Sequence, residues 1–238
     1  MLQEIILIAA GLVAGLISGT VGFGGSLILL PTVTSFYGIE VAVPMATVAQ
    51  LLSNIFRMGA GFKAIRWRKV WQFLILAAPL TVAGAYGFVV VPKELMTRIL
   101  CAVLVIFAIL ELYQKISLPK SRMTMIVGGG ISGVINGLLC LSGPVSSAVF
   151  LTLGLSPVAY IATEAASATI MHIVQMVMYG EFGLLDIKVL LDGIYIGVAM
   201  SLGNFFAMKR IQTIKRRNYR KIVAVVMIAA SIWLFFSV

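Results

Sequence analysis

Hydrophobic residues in this 238-residue chain come in long unbroken runs, at about 3–19, 25–36, 41–62, 70–91 and 95–113, then at about 123–140, 143–155, 157–179, 187–207 and 219–237. Crossing a bilayer as a helix takes roughly 20 mostly apolar residues. The second run of each series, about a dozen residues, is too short to cross alone. A membrane barrel would instead alternate in polarity over stretches of ~10 residues, and runs such as AVLVIFAILELY do not alternate. Backbone groups inside lipid must find their partners within the segment. The pattern therefore predicts an all-α polytopic membrane protein, one transmembrane domain over 1–238.

The composition supports the same environment. Hydrophobic residues make up 61% and charged residues 11%, where a soluble domain carries about 25% charged residues. Too few polar groups remain to cover a water-facing surface, so lipid is the outer solvent. The net charge of +10 would suit nucleic acid only on a solvated basic face. Here the basic residues sit in short connections, as the positive-inside rule requires, and no nucleic-acid partner is expected. Cys101 and Cys140 lie in apolar surroundings without metal-ligand spacing and read as small buried hydrophobes. No metal and no cofactor is expected. Glu4 precedes the first run and no small-residue cleavage site closes it, which argues against a cleaved signal peptide.

The two series are internally similar. Ser18-Gly19 corresponds to Ser132-Gly133, Tyr37-Gly38-Ile39 to Leu153-Gly154-Leu155, Ala46-Thr47 to Ala162-Thr163, Lys69-Val70 to Lys188-Val189, Gly84 to Gly203 and Arg98 to Arg217. Shared order makes these repeats, over about 1–115 and 120–238. Three connections are strongly basic: Lys63 to Lys69, Lys115 to Arg122, and Lys209 to Lys221. If all three are cytoplasmic, an even number of crossings separates each pair. The broken stretches 3–36 and 123–155 then make no net crossing, as re-entrant hairpins or as two passes. Each half crosses an odd number of times, with about three full transmembrane helices, so the repeats are inverted. Both termini fall outside, with Glu181, Asp186 and Asp192. Inverted repeats with interrupted helices recur among secondary transporters.

The interruptions carry the candidate chemistry. The first reads Gly19-Thr20-Val21-Gly22-Phe23-Gly24-Gly25-Ser26, the second Gly133-Val134-Ile135-Asn136-Gly137-Leu138-Leu139-Cys140-Leu141-Ser142-Gly143-Pro144. Short helices starting at Ser26 and Pro144 would aim N–H groups and positive dipole ends at the breaks. Gly22, Gly24, Gly25, Ser26, Ser142 and Gly143 are the expected backbone and hydroxyl donors to a small anion. The alternative is that such glycines serve only close helix crossing. The following helices add Thr47, Gln50, Ser53, Asn54 and Arg57, then Thr163, Glu164, Ser167, His172 and Gln175, in part at spacings of three and four that share a face.

Thr47, Gln50, Asn54, Asn136, Cys140, Thr163 and Glu164 complete the candidate substrate path. A carboxylate within an apolar helix is a functional candidate, and Glu164 is a candidate proton carrier; it could equally sit solvated near an outer helix end. His172, the single histidine, is either a proton relay or a packing residue. Arg57 either snorkels from a helix end or gathers anions. Trp67, Trp71, Trp233, Tyr113 and Tyr219 read as interface belt residues.

The stretch GLISGTVGFGGSLILLPTVTSFYGI, followed by a helix with an Ala-Thr pair, resembles the TauE/SafE family of sulfite-exporter-like and toluene-sulfonate-uptake permeases. SGVINGLLCLSGPVSSAVFLTLGLSPVAYIATEAAS resembles the second-half repeat of that family, with a Gly-Pro pair in place of a glycine run. The resemblance covers essentially the whole chain. It implies transport of anions such as sulfite, thiosulfate, sulfoacetate or sulfonates. The first-half pattern departs at Ser26, where a third glycine is usual. Thiosulfate-transporting relatives use pathway cysteines, and only Cys140 stands in a comparable break here. The expected protein is a secondary transporter of a small, sulfur-containing anion in a prokaryotic plasma membrane. A passive anion channel and a carrier of non-sulfur organic anions are the alternatives. Coupled protons are a candidate second partner, and a homodimer is an admissible assembly.

Overall fold

The computed structural model describes residues 2–113, 118–209 and 232. The run expected at 219–237 lies outside them but for residue 232, as do Lys115, Arg217, Tyr219 and Trp233, and the side chain of Tyr113. The chain forms α1 (Leu2–Val21), α2 (Gly25–Ala60), α3 (Trp67–Val90), α4 (Lys93–Tyr113), α5 (Arg122–Leu139), α6 (Gly143–Leu151), α7 (Pro157–Glu181) and α8 (Ile187–Lys209), with a 3-10 turn at Phe62–Ala64. There is no strand among the described residues. Among the described residues six helices, α1, α2, α3, α5, α7 and α8, are long and apolar enough to cross a membrane.

Local sequence explains the boundaries. Ser121 caps α5 by accepting from the Thr124 amide at 3.0 Å, satisfying one of the orphan donors of a helix start. Pro144 and Pro157 stand in the first turns of α6 and α7, where a missing N–H costs nothing. The runs expected at 25–36 and 41–62 stand as two helical limbs within α2, which meet at Gly38, where the backbone leaves helical geometry (φ 72°, ψ 165°). A positive φ excludes most L residues, so one glycine turns the corner. In the second half Gly154 has φ 64°, but there a connection of several residues separates α6 from α7.

Packing pairs elements distant in sequence. Helix α1 lies along α8, α3 along α5, α2 against α7 and α8, and α3 against α7. Between membrane helices, small residues let backbones approach closely. A Cβ at Gly15 would stand 2.0 Å from the Met200 carbonyl oxygen, and one at Gly203 2.3 Å from that of Leu12. On the other pair, a Cβ at Gly137 would stand 2.2 Å from the Thr81 carbonyl oxygen and one at Gly133 2.3 Å from that of Ala77. Gly59 of α2 is a contrast, because a Cβ there meets no atom within 4 Å. Gly59→Ala is therefore expected to stabilise the protein by about 0.5–1 kcal/mol through reduced backbone freedom in the unfolded chain, seen as a higher unfolding midpoint in detergent.

Two buried polar ties fix the helices around the centre. Ser18 of α1 donates to Asn204 Oδ1 of α8 at 2.8 Å, and Asn204 Nδ2 donates to Ser53 Oγ of α2 at 2.9 Å. Asn136 of α5 donates to Gln175 Oε1 of α7 at 3.1 Å, while Gln175 Nε2 donates back to the Asn136 carbonyl at 2.8 Å. Tyr179 adds a bond to the Gly137 carbonyl at 2.9 Å. Unmatched polar groups are costly where water is absent, so these ties specify one register. Trp67 and Trp71 are exposed in the first turns of α3, where a belt residue belongs.

Candidate functional site

The first break, between α1 and α2, holds Gly22 (φ 90°) and Gly24 (φ 99°). The second, between α5 and α6, begins at Cys140, the one non-glycine residue with positive φ among those described (φ 56°). Such a conformation costs a non-glycine residue about 1–2 kcal/mol, and strain of this kind collects at functional sites. The two breaks touch. A Cβ at Gly143 would lie 3.2 Å from Cβ of Phe23, so glycine is what lets the breaks close together.

Both helices after the breaks start at one small cavity. It is lined by Phe23, Gly24, Gly25 and Ser26 from the first break and by Ser142 and Gly143 from the second. Gln50, Asn54 and Arg57 enter from α2, Glu164, Ala168 and His172 from α7, and Ser18 from α1. The starts at Gly25 and Gly143 turn unpaired N–H groups and positive dipole ends to it. The second start gives one donor fewer, since Pro144 has no N–H.

Arg57 is 3% exposed. Its Nη1 donates to the Gly22 carbonyl at 2.6 Å and lies 3.4 Å from Glu164 Oε2; its Nη2 donates to Asn54 Oδ1. Its Nε has no hydrogen-bond partner among the described residues, and neither has Gln50 Nε2. Glu164, 1% exposed, accepts from Ser146 Oγ at 2.8 Å through Oε1. His172 Nδ1 stands 3.4 Å from Gln175 Oε1 and 3.8 Å from Cys140 Sγ. The cavity thus offers more donors than acceptors, with one buried ion pair at its edge.

Of the residues expected from sequence, Gly24, Gly25, Ser26, Gln50, Asn54, Ser142, Gly143, Glu164 and His172 meet at this cavity. Gly22 stands behind it, its carbonyl holding Arg57. Cys140 is buried behind His172, with Thr47 beside it. Asn136 is engaged with Gln175. Thr163 accepts from the Arg66 amide at 3.1 Å, tying α7 to the start of α3.

Two alternatives are overturned by burial: Glu164 is not solvated at a helix end, and Arg57 does not snorkel. Arg57 was the one strong cation the sequence placed ambiguously. The signal for it was the polar stripe Gln50, Ser53, Asn54, Arg57, whose 3,4 spacing continues inward. Ser18, Phe23 and Ser146 carried no such signal.

The family model for the sulfite exporter TauE/SafE matches residues 7–234, nearly the whole chain. The chain belongs to the TauE/SafE family. No curated protein and no solved structure matches it. Membership makes this TauE/SafE chain a multi-pass membrane protein of a transporter family. It also means that the glycine-broken starts of α2 and α6, and the cavity between them, lie within the span that the family description covers.

Proposed function

We propose that this protein is a secondary transporter of a small sulfur-containing anion, which binds between the two broken segments. The observation that carries the reading is the convergence on one buried cavity of two helix starts, the Arg57 guanidinium and two unmatched donors, Arg57 Nε and Gln50 Nε2. An unmatched buried donor costs roughly 1–3 kcal/mol. An oxyanion with several acceptor oxygens offsets that cost at each donor it meets. The family description, that of a sulfite exporter, favours sulfite, and the resemblance of the broken segments adds sulfonates as the related class.

The packing supports a repeat. Exchanging α1 for α5, the second limb of α2 for α7, and α3 for α8 turns the contact of α1 with α8 into that of α5 with α3. The same exchange turns α2 with α8 into α7 with α3. The basic connection Lys63–Lys69 meets the first turns of α7 through Arg66 and Thr163, and Glu181 and Asp186 lie at its other end. The positive-inside rule makes the first side cytoplasmic.

A thermal-shift panel on purified protein tests the substrate class. Sulfite, sulfoacetate or taurine is expected to raise the unfolding midpoint, with thiosulfate weaker and carboxylates inert. Stabilisation by carboxylates alone would remove the sulfur assignment. In liposomes, internal substrate should accelerate entry of labelled substrate; a steady current without such counterflow identifies a channel instead.

A further inference from the structure

The inference concerns what travels with the anion, and it rests on the anion-transporter reading above. Among the described lining residues the cavity already holds one charge of each sign, Arg57 and Glu164, both buried and 3.4 Å apart. In formal charge such a site is neutral. An anion added to it leaves a net negative formal charge away from water, which is unfavourable for the reason that isolated charges are rare inside membranes. Arg57 cannot change its charge, the hydroxyls and amides carry none, and the helix starts offer only fixed partial charges. The Glu164 carboxylate is moreover a tethered version of the ligand, placed against the same guanidinium that a free anion would seek.

We infer that Glu164 is an internal counterion of Arg57, displaced by protonation when an anion binds, so that each monovalent anion enters together with a proton. The geometry suits the exchange. Glu164 Oε1 is held by Ser146, while Oε2 has no hydrogen-bond partner among the described residues and faces Arg57. A proton delivered by hydronium, which leaves as water, forms an O–H bond at Oε2 and ends the ion pair. Arg57 keeps its bonds to the Gly22 carbonyl and Asn54, so the guanidinium stays in place and the anion takes the vacated side. No bond within the protein breaks, and the site is formally neutral both before the proton arrives and after the anion has bound.

The other ionisable groups around Glu164 do not take over this role. On α7, Tyr160 precedes it and His172 follows two turns on, with His172 Nδ1 facing Gln175 and Cys140 rather than Arg57. Lys63, Arg66, Arg68 and Lys69 lie around the start of α3, where the Arg66 amide meets Thr163. Of α1, α5 and α6, none contributes an ionisable side chain to the cavity lining.

Titration calorimetry of the purified protein with methanesulfonate, whose charge is fixed at −1, tests this. Runs in two buffers of different ionisation enthalpy count the protons taken up. The wild type is expected to take up about one proton per anion, with affinity falling about tenfold per pH unit as pH rises, by linkage. Glu164→Gln should bind with no proton uptake and a flat pH profile. Wild-type binding without proton uptake overturns the inference and leaves the anion site standing. Uptake that survives in Glu164→Gln but vanishes in His172→Gln moves the proton to the histidine and also overturns it. If neither methanesulfonate nor sulfite binds the wild type, the anion site itself fails and the inference falls with it. If Glu164→Gln does not fold, His172→Gln alone separates the two carriers: uptake that persists there supports Glu164, and uptake lost there overturns the inference.

Discussion

Arg57→Gln is expected to abolish anion binding and to destabilise the fold at once. The substitution removes the cation of the cavity, strips the Gly22 carbonyl and Asn54 of their donor, and leaves Glu164 buried without its partner. Breaking a buried pair from one side costs about 3–5 kcal/mol, because the remaining charge is uncompensated. The unfolding midpoint should drop sharply and no sulfur anion should restore it. The double variant Arg57→Gln with Glu164→Gln separates the two effects. It removes the orphaned charge, so most of the stability returns, whereas anion-induced stabilisation does not. An Arg57→Gln protein that still responds to anions within tenfold of the wild-type concentration would show that the helix starts bind the anion without the guanidinium.

A leucine at Gly137, or at Gly15, is expected to prevent assembly of the helix pair it belongs to. The atom in the way is in each case a backbone carbonyl oxygen, of Thr81 at 2.2 Å and of Met200 at 2.0 Å. Overpacking a core typically costs 1–3 kcal/mol when side chains can move aside. Here the neighbouring helix axis itself must shift, so the loss should be about 3 kcal/mol or more. Yield of monodisperse protein and the unfolding midpoint both report it. Gly130 is the comparison: its nearest atom is the Leu80 Cδ1 methyl at 3.1 Å, the end of a flexible side chain. Gly130→Ala should fold with a modest loss. Equal losses at Gly130 and Gly137 would remove the distinction between side-chain and backbone contact.

Long apolar runs with charged connections made the helices legible, because the membrane leaves the backbone little alternative. The breaks were legible because glycine clusters at Gly22–Gly25 and at Gly137–Gly143 interrupt that hydrophobicity. The corner within α2 was legible only as a gap between two apolar runs, since a single glycine at φ 72° looks in sequence like any loop glycine. The site divided in the same way. Most candidate residues on the breaks or on the polar stripe reach the cavity, with Gly22, Asn136, Cys140 and Ser53 as exceptions. Asn136, Cys140, Thr47 and Thr163 have equally polar or reactive side chains, yet each is turned to a different neighbour. Rotation about a helix axis by one residue decides that, and it follows from packing between segments far apart in sequence. The role of Arg57 was ambiguous for a related reason. Its distance from the basic connection suited a snorkelling side chain, and only the Gly22 carbonyl and Glu164, 35 and 107 positions away along the chain, draw it inward.

The ion pair at the cavity has a consequence for dividing the chain. Its cation stands before residue 115 and its anion after residue 120, with Ser146 and His172 on the anion's side. A fragment ending near residue 115 would carry a guanidinium without its carboxylate, and one starting near residue 120 a carboxylate without its guanidinium. Each would have to keep a lone charge out of water, so the two stretches should fold well only when produced together.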